Sequence, residues 1–311
     1  MLALLFPGQA SQAVGMGTDL QAHSSEARRL FELADRVTGL PIRRLCAEGP
    51  LDRLTATDVA QPAVVTTSLA ALAVLSEHVP LAPSVVAGHS VGEYAAYVAA
   101  GVFDADTALR LVHARAQAMA AACETVDGGM AAVIGLDEDA LRAACADVSR
   151  NGSSVEVANL NAPGNLIVSG ARDAIDRLGQ VAQSAGARRV LPLNVGGPFH
   201  SRYMRPAASA LSAAIAEAPL ASARVPIVLN TSAEAAQTAE ALRGELERQV
   251  YSPVRWVQTL EELARQGCDR FLEVGPGAVL VGLARRTLTG VKVASFGSLA
   301  DLPTAQSLMA G

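Results

Sequence analysis

A serine set between two glycines is the first pattern in this sequence that could do chemistry. Gly88-His89-Ser90-Val91-Gly92 follows an apolar run, Val85-Val86-Ala87, and opens a helical stretch from Glu93 to Ala100 that Gly101 closes. That is the strand-to-helix setting of a G-x-S-x-G nucleophile elbow. Glycine at both flanks permits a tight turn that would crowd a Cβ. The turn lifts the Ser90 hydroxyl above a sheet and onto a helix N-terminus, where unpaired N–H groups favour developing negative charge. The competing reading is a plain strand–helix turn with Ser90 as N-cap.

A serine hydroxyl is a poor nucleophile without a neighbouring base. Of the five histidines, His23 and His78 sit in polar surroundings and His113 lies off the apolar stripe of its helix. His89 points away from the nucleophile if the elbow forms. His200 lies in Gly196-Gly-Pro-Phe-His-Ser201, a junction loop of the kind that commonly carries functional groups. It is the candidate base, taking the Ser90 proton and later returning it to a leaving group. The alternative is a loop histidine hydrogen-bonded for structure. The third residue is Arg115. The helix expected over 105–122 turns Ala108, Leu111, Val112, Met119 and Ala122 to one side, and Arg115 falls on that apolar stripe. A charge there is costly unless paired. Either an internal carboxylate meets it, or it waits for a ligand anion, which a guanidinium can hold by two parallel hydrogen bonds.

Short apolar runs supply the elements that must position these groups. Leu2–Phe6, Val85–Gly88, Pro226–Leu229, Phe271–Val274 and Val291–Ala294 read as buried strands. Helical periodicity separates them. One pattern sets Ala27, Leu30, Phe31, Ala34 and Val37 on one face, with Ser24 or Ser25 available as N-cap and Gly39 just past its end. Others are expected over 62–77, 91–100, 105–122, 203–217, 238–249, 256–266 and 278–288. Buried strands alternating with helices imply a mostly parallel sheet covered on both faces.

Between 128 and 194 the rhythm changes. Met130–Ile134, Val155–Leu160, Leu166–Ser169 and Val190–Leu193 read as strands, with a turn at Asn161-Ala-Pro-Gly164. Glu138–Val148 and Asp173–Ala185 read as helices, the first capped by Asp137 and the second ended by Gly186. The order β-α-β-β-α-β is the ferredoxin-like pattern. The expected fold class is therefore α/β: a larger α/β-hydrolase-like catalytic domain from 1–127 and 195–311, with a small ferredoxin-like α+β subdomain inserted at 128–194.

Composition narrows the function classes. With 50% hydrophobic and 18% charged residues, the 311-residue chain is not a disordered one. Its net charge of −5 and 4% aromatic content argue against a phosphate-backbone or base-stacking platform, so no nucleic-acid partner is expected. The four cysteines, Cys46, Cys123, Cys145 and Cys268, fit no zinc spacing and are expected as reduced thiols in a cytoplasmic protein. The N-terminal Met1-Leu-Ala-Leu-Leu-Phe6 reads as a first buried strand and not a signal peptide. The apolar stretch from Val59 to Val79 is interrupted by Gln61, Thr66, Thr67, Ser68 and Ser76, so it reads as a core helix and not a membrane span.

Taken together, these features resemble the malonyl-CoA:acyl carrier protein transacylases along the whole chain. The segments that carry the resemblance are Phe6-Pro-Gly-Gln-Ala-Ser-Gln12, Gly88-His-Ser-Val-Gly-Glu93, Arg115, Gly129-Met-Ala-Ala-Val-Ile-Gly135, Asn159-Leu-Asn-Ala-Pro-Gly164, Gly197-Pro-Phe-His-Ser201, Gln249-Val-Tyr-Ser-Pro-Val-Arg-Trp256 and Glu273-Val-Gly-Pro-Gly277. The resemblance implies ping-pong acyl transfer from malonyl-CoA, through Ser90 with His200 as base, to the phosphopantetheine thiol of an acyl carrier protein. It implies an oxyanion hole from the N–H groups of Gln9 and Val91, a main-chain carbonyl near Gln249 orienting His200, and Arg115 gripping the malonyl carboxylate. No metal or redox cofactor is implied, since the CoA thioester and phosphopantetheine are substrates. Val91 and Phe199 look like the malonyl type, Phe199 because a bulky ring crowds an α-methyl branch. Two positions depart from the family pattern: Ala10 stands where a second glycine is usual, and Ala116 where a glycine commonly follows the arginine. An acidic carrier protein would need a local basic patch, for which Arg188, Arg189, Arg285 and Arg286 are the candidates. Fatty acid synthesis, polyketide synthesis and malonate decarboxylation all use such a protein. Two other functions share parts of the pattern: a serine acyl hydrolase or thioesterase, which has no use for Arg115, and a non-catalytic docking subunit of a synthase.

Overall fold

The computed structural model describes residues 1–150 and 152–310. Ten strands fall into two sheets. The first contains β1 (Leu2–Phe6), β2 (Val85–Gly88), β7 (Ile227–Val228), β8 (Ala235–Ala236), β9 (Arg270–Val274) and β10 (Lys292–Phe296), in the order β10-β9-β1-β2-β7-β8. All neighbours in it run parallel except β7 and β8. The central strands β1 and β2 are buried along their whole length, as expected where helices cover both faces.

The second sheet is built from β3 (Gly128–Ile134), β4 (Val155–Ala162), β5 (Asn165–Ala171) and β6 (Arg189–Pro192), in the order β4-β5-β3-β6 with every pair antiparallel. Helices Glu138–Val148 and Arg172–Ser184 pack on it. Ala131, Val133, Leu141, Val157, Val168, Leu178 and their neighbours form a core of their own. The connection between β4 and β5 is tighter than the expected four-residue turn. Both strands run on until only Pro163 and Gly164 separate them, and Gly164 takes a positive φ of 66°. Proline at the first loop position and glycine at the second suit such a reversal.

Local sequence explains some of the helix boundaries. Ser24, Asp104, Asp137 and Thr238 each accept a main-chain N–H three residues on, a cap worth about 1 kcal/mol. Gly39 ends its helix in the left-handed conformation. One helix begins earlier than its periodicity suggests. Thr57–His78 extends five residues ahead of the expected 62, with Pro62 inside it. It is apolar on all sides because it is enclosed, packing against helices Ser25–Thr38 and Ala105–Cys123. Among the described residues it is the one helix long and apolar enough to cross a membrane, and most of it is buried inside this fold. The strand expected over Pro226–Leu229 shrinks to two residues, pairing with β2 at Val86 and Ile227 alone.

Candidate active site

β2 delivers Ser90, and the reason for its flanking glycines is steric. A Cβ on Gly88 would lie 2.1 Å from the Gly92 carbonyl carbon, and one on Gly92 would lie 2.2 Å from the Phe6 oxygen. The chain turns at Ser90 with φ 52°, strained backbone of the kind that marks functional sites. Ser90 is not the helix N-cap. Val91 holds that position, and no side chain caps helix Gly92–Ala99. The loop after β1 is clamped against this turn: His89 N–H donates to Phe6 O at 2.9 Å, and a Cβ on Gly8 would come within 2.5 Å of the His89 carbonyl. The main-chain N–H groups of Gln9 and Val91 donate to no protein acceptor among the described residues.

His200 reaches Ser90 from the loop after β6. Its Nε2 lies 2.7 Å from Ser90 Oγ, and its own φ is 56°. Its Nδ1 lies 3.1 Å from two main-chain carbonyls, those of Gln249 and Ser252. Carbonyl oxygens only accept, so Nδ1 carries the proton and Nε2 presents a lone pair to the serine hydroxyl. Burial pushes the His200 pKa down to about 3, helped by the positive charge of Arg115 and by His89. The ring therefore rests neutral, the state a base requires.

Arg115 is 1% exposed, and among the described residues no carboxylate lies within ion-pair distance of it. The internal-carboxylate reading of this residue is thereby excluded. Its Nη1 donates to Gln61 Oε1 at 2.6 Å, and its Nη2 to Gln249 Oε1 at 3.1 Å and Ser90 Oγ at 3.2 Å. Its Nε has no partner. Burial pulls its pKa below the ordinary arginine value, with Tyr94 and Glu93 opposing. A guanidinium held by neutral oxygens, with a free N–H and the Ser90 hydroxyl alongside, is able to take an anionic group by paired hydrogen bonds.

A cavity of about 580 Å³ opens over these residues. Ser90, Arg115, His200, Gln9 and Phe199 line it, and Arg286 stands on its wall. Arg286 and Arg285 end the helix Val279–Thr287, whose N-terminus is pinned by Glu273 Oε2 accepting from Val281 N–H at 2.9 Å. Arg188 and Arg189 are exposed at the start of β6. His89 turns away from the nucleophile, as expected, and meets Asn161 Oδ1 at 2.9 Å and the edge of Trp256. His23 and His78 are exposed and pair with each other. The four cysteines are free thiols, three of them buried.

Four contributors escaped the sequence reading. Gln61 reads in the sequence as a polar interruption of an apolar stretch, although a polar group on an enclosed helix carries the same signal as Arg115. Asn230 lies two residues past β7, beyond the carboxyl end of a strand parallel to β2, where open α/β sheets place their sites. Ser252 shares the orienting of His200 through its carbonyl, and a backbone acceptor leaves no mark in side-chain identity. Glu93 follows the serine turn in the first turn of helix Gly92–Ala99, where an acidic residue has an ordinary helix-dipole explanation that masks any further role.

The acyl transferase domain family matches residues 3–305 of the chain. The malonyl CoA-acyl carrier protein transacylase of Bacillus subtilis (strain 168) is 39% identical over 285 residues, covering 92% of this chain and 90% of that protein. The protein of the same name from Escherichia coli O157:H7 is 40% identical over 284 residues, 91% of this chain and 92% of that one. Among solved structures, an acyl carrier protein S-malonyltransferase from Vibrio cholerae superposes with a TM-score of 0.93 at 38% identity, covering 98% of this chain and 99% of that one. A malonyl-transacylase solved in complex with its type II PKS acyl-carrier protein superposes at 0.94 and 39% identity, with the same coverage.

Proposed function

This chain belongs to the acyl transferase domain family, and from that premise we propose that it moves malonyl from malonyl-CoA to the phosphopantetheine thiol of an acyl carrier protein. The observation that carries the reading is a buried guanidinium with no carboxylate within ion-pair distance among the described residues, 3.2 Å from the same hydroxyl that an imidazole holds at 2.7 Å. His200 Nε2 takes the Ser90 proton as Oγ attacks the thioester carbonyl. The N–H groups of Gln9 and Val91 stabilise the oxyanion. The Nδ1–H of the resulting imidazolium stays on the carbonyls of Gln249 and Ser252, so orientation comes from main-chain dipoles in place of the usual carboxylate. His200 then protonates the departing CoA thiolate. In the second half-reaction it takes the proton of the carrier thiol as that sulfur attacks malonyl-Ser90, and returns it to Ser90 Oγ as the serine departs. No metal or redox cofactor enters these steps.

Arg115 binds the malonyl carboxylate throughout, which separates this activity from that of a serine hydrolase acting on neutral acyl groups. Phe199, beside the base, disfavours an α-methyl branch. One misplaced methyl is worth about 1–3 kcal/mol, so the preference for malonyl is strong but not absolute. Arg188 and Arg189 on one side, with Arg285 and Arg286 on the other, form the docking patch for an acidic carrier. Reversing the charge at Arg188, Arg189 and Arg285, which do not line the cavity, raises the KM for carrier protein and leaves hydrolysis of malonyl-Ser90 unchanged; unaltered carrier kinetics would remove the patch from the account. The larger unit, 1–127 and 195–311, is α/β-hydrolase-like, and 128–194 is an inserted ferredoxin-like subdomain, its strand order following the β-α-β-β-α-β pattern. The setting is cytoplasmic. The test is transfer itself: protein loaded from radiolabelled malonyl-CoA and freed of nucleotide passes label to holo carrier protein but not to the form lacking phosphopantetheine. Release of free malonate without transfer would favour the hydrolase.

A further inference from the structure

Glu93 lies one turn beyond Ser90 on helix Gly92–Ala99, is wholly buried, and has no basic partner within ion-pair distance among the described residues. The steps above do not use it. Its Oε1 accepts from Asn230 N–H at 2.8 Å and from Asn230 Nδ2 at 3.0 Å, and its Oε2 accepts from Gln249 Nε2. The two amides it holds reach the reacting residues. Asn230 Oδ1 accepts from Ser90 N–H at 2.7 Å, and Asn230 Nδ2 donates to Gly88 O at 2.6 Å. Gln249 Nε2 donates to Ser90 O at 3.0 Å, while its Oε1 accepts from Arg115. Glu245, the other buried carboxyl nearby, is engaged by Thr231 and Arg248.

An amide has one donating end and one accepting end, so its orientation decides what it can hold. A carboxylate accepts only. It draws the NH2 end of both amides to itself and leaves both oxygens facing outward, toward Ser90 N–H and Arg115. With either amide reversed, an NH2 group would face another N–H. We propose that Glu93 is a positioning residue: its carboxylate fixes the orientations of Asn230 and Gln249, and through them the pose of Ser90 and of the Arg115 guanidinium. Burial and the neighbouring Glu245 push its pKa well above the ordinary carboxyl value, with the hydrogen bonds from Asn230 and Gln249 and the charge of Arg115 opposing; the three N–H groups donated to its two oxygens leave no acceptor for a carboxyl proton.

The proposal rests on the transacylase reading, and its test separates the two. The experiment measures kcat/KM for Ser90 acylation by malonyl-CoA and by acetyl-CoA, the latter having no carboxylate for Arg115. In Glu93→Gln the new side chain offers one accepting end for two amides, so Gln249 loses its anchor. The malonyl-to-acetyl ratio falls about tenfold, the size of one hydrogen bond to a charged group. In a Gln249→Met background the same change has no further effect on the ratio, as expected if Glu93 acts through Gln249. Equal losses for both substrates, an unchanged ratio, or additive effects in the double variant would overturn the proposal. Glu93→Met serves if Glu93→Gln does not fold, and failure of both to fold would assign the carboxyl to stability alone and overturn it too. If the unaltered protein forms no malonyl-Ser90, the functional reading itself has failed.

Discussion

Replacing Arg115 with alanine should convert a malonyl-selective site into one that is indifferent to the acyl terminus. In the resting protein the guanidinium gives Nη2 to Gln249 and Ser90, keeps Nη1 on Gln61, and leaves Nε unused. A malonyl carboxylate gains two charge-assisted bonds, worth about 3–6 kcal/mol together, and displaces one or two neutral ones of about 1 kcal/mol each. The net is about 1–5 kcal/mol, or roughly a 5- to 5,000-fold loss in kcat/KM for malonyl-CoA in Arg115→Ala. Acetyl-CoA should behave differently. Arg115 is the second-largest cause of the low His200 pKa, after burial, so its removal makes the base stronger and holds or raises acetyl transfer. Arg115→Lys should fall between, keeping the charge but losing the paired geometry. Rapid-quench measurement of Ser90 acylation with both thioesters separates these effects. Equal loss for malonyl and acetyl, or malonyl loading at full rate, would refute the reasoning.

Three further outcomes follow from the geometry. Since kcat/KM reports groups of the free enzyme, its acid limb should lie below pH 5, because burial and Arg115 hold His200 near 3 in place of 6.5; a limb at 6.5 would contradict the assignment. The same shift makes the unfolded chain bind a proton that the folded chain does not. Stability from this residue is therefore full above pH 6.5 and lost as the pH falls toward 3, which urea titrations across that range will read. Ala10 holds a φ of +80°, a conformation costing a non-glycine residue about 1–2 kcal/mol. Ala10→Gly relieves that strain while loosening the unfolded chain by about 0.4–1 kcal/mol. The variant should gain up to about 1 kcal/mol in thermal unfolding, and a clear loss would show that the loop is not strained there.

What the sequence made legible was whatever one segment determines alone. The elbow is local: two glycines, a strand before and a helix after specify the Ser90 turn, and the contacts a Cβ would make at Gly88 and Gly92 explain why. Arg115 was legible because a charge on an apolar stripe is a contradiction that the sequence itself displays. His200 needed elimination among five histidines, since nothing in its loop announces that it folds back onto residue 90. The network behind them was not legible. Asn230 and Gln249 act through amide orientation, and Ser252 through a carbonyl, neither of which is encoded in spacing. Helices Thr18–His23, Ile42–Glu48 and Leu51–Thr55 went unread because about two turns or fewer show too little periodicity. The start of Thr57–His78 is not legible because a proline at 62 suits a first helical turn, which hides the five helical residues before it.

The central claim is that Ser90, His200 and Arg115 act as one unit on malonyl-CoA, and peptide mapping by mass spectrometry after brief exposure to that thioester tests it most directly. The expected result is a single malonyl group on the peptide containing Ser90, absent from Ser90→Ala, slow to form in His200→Ala, and outcompeted by acetyl in Arg115→Ala. A malonyl group on any other residue, or undiminished loading of Ser90→Ala, would contradict the account.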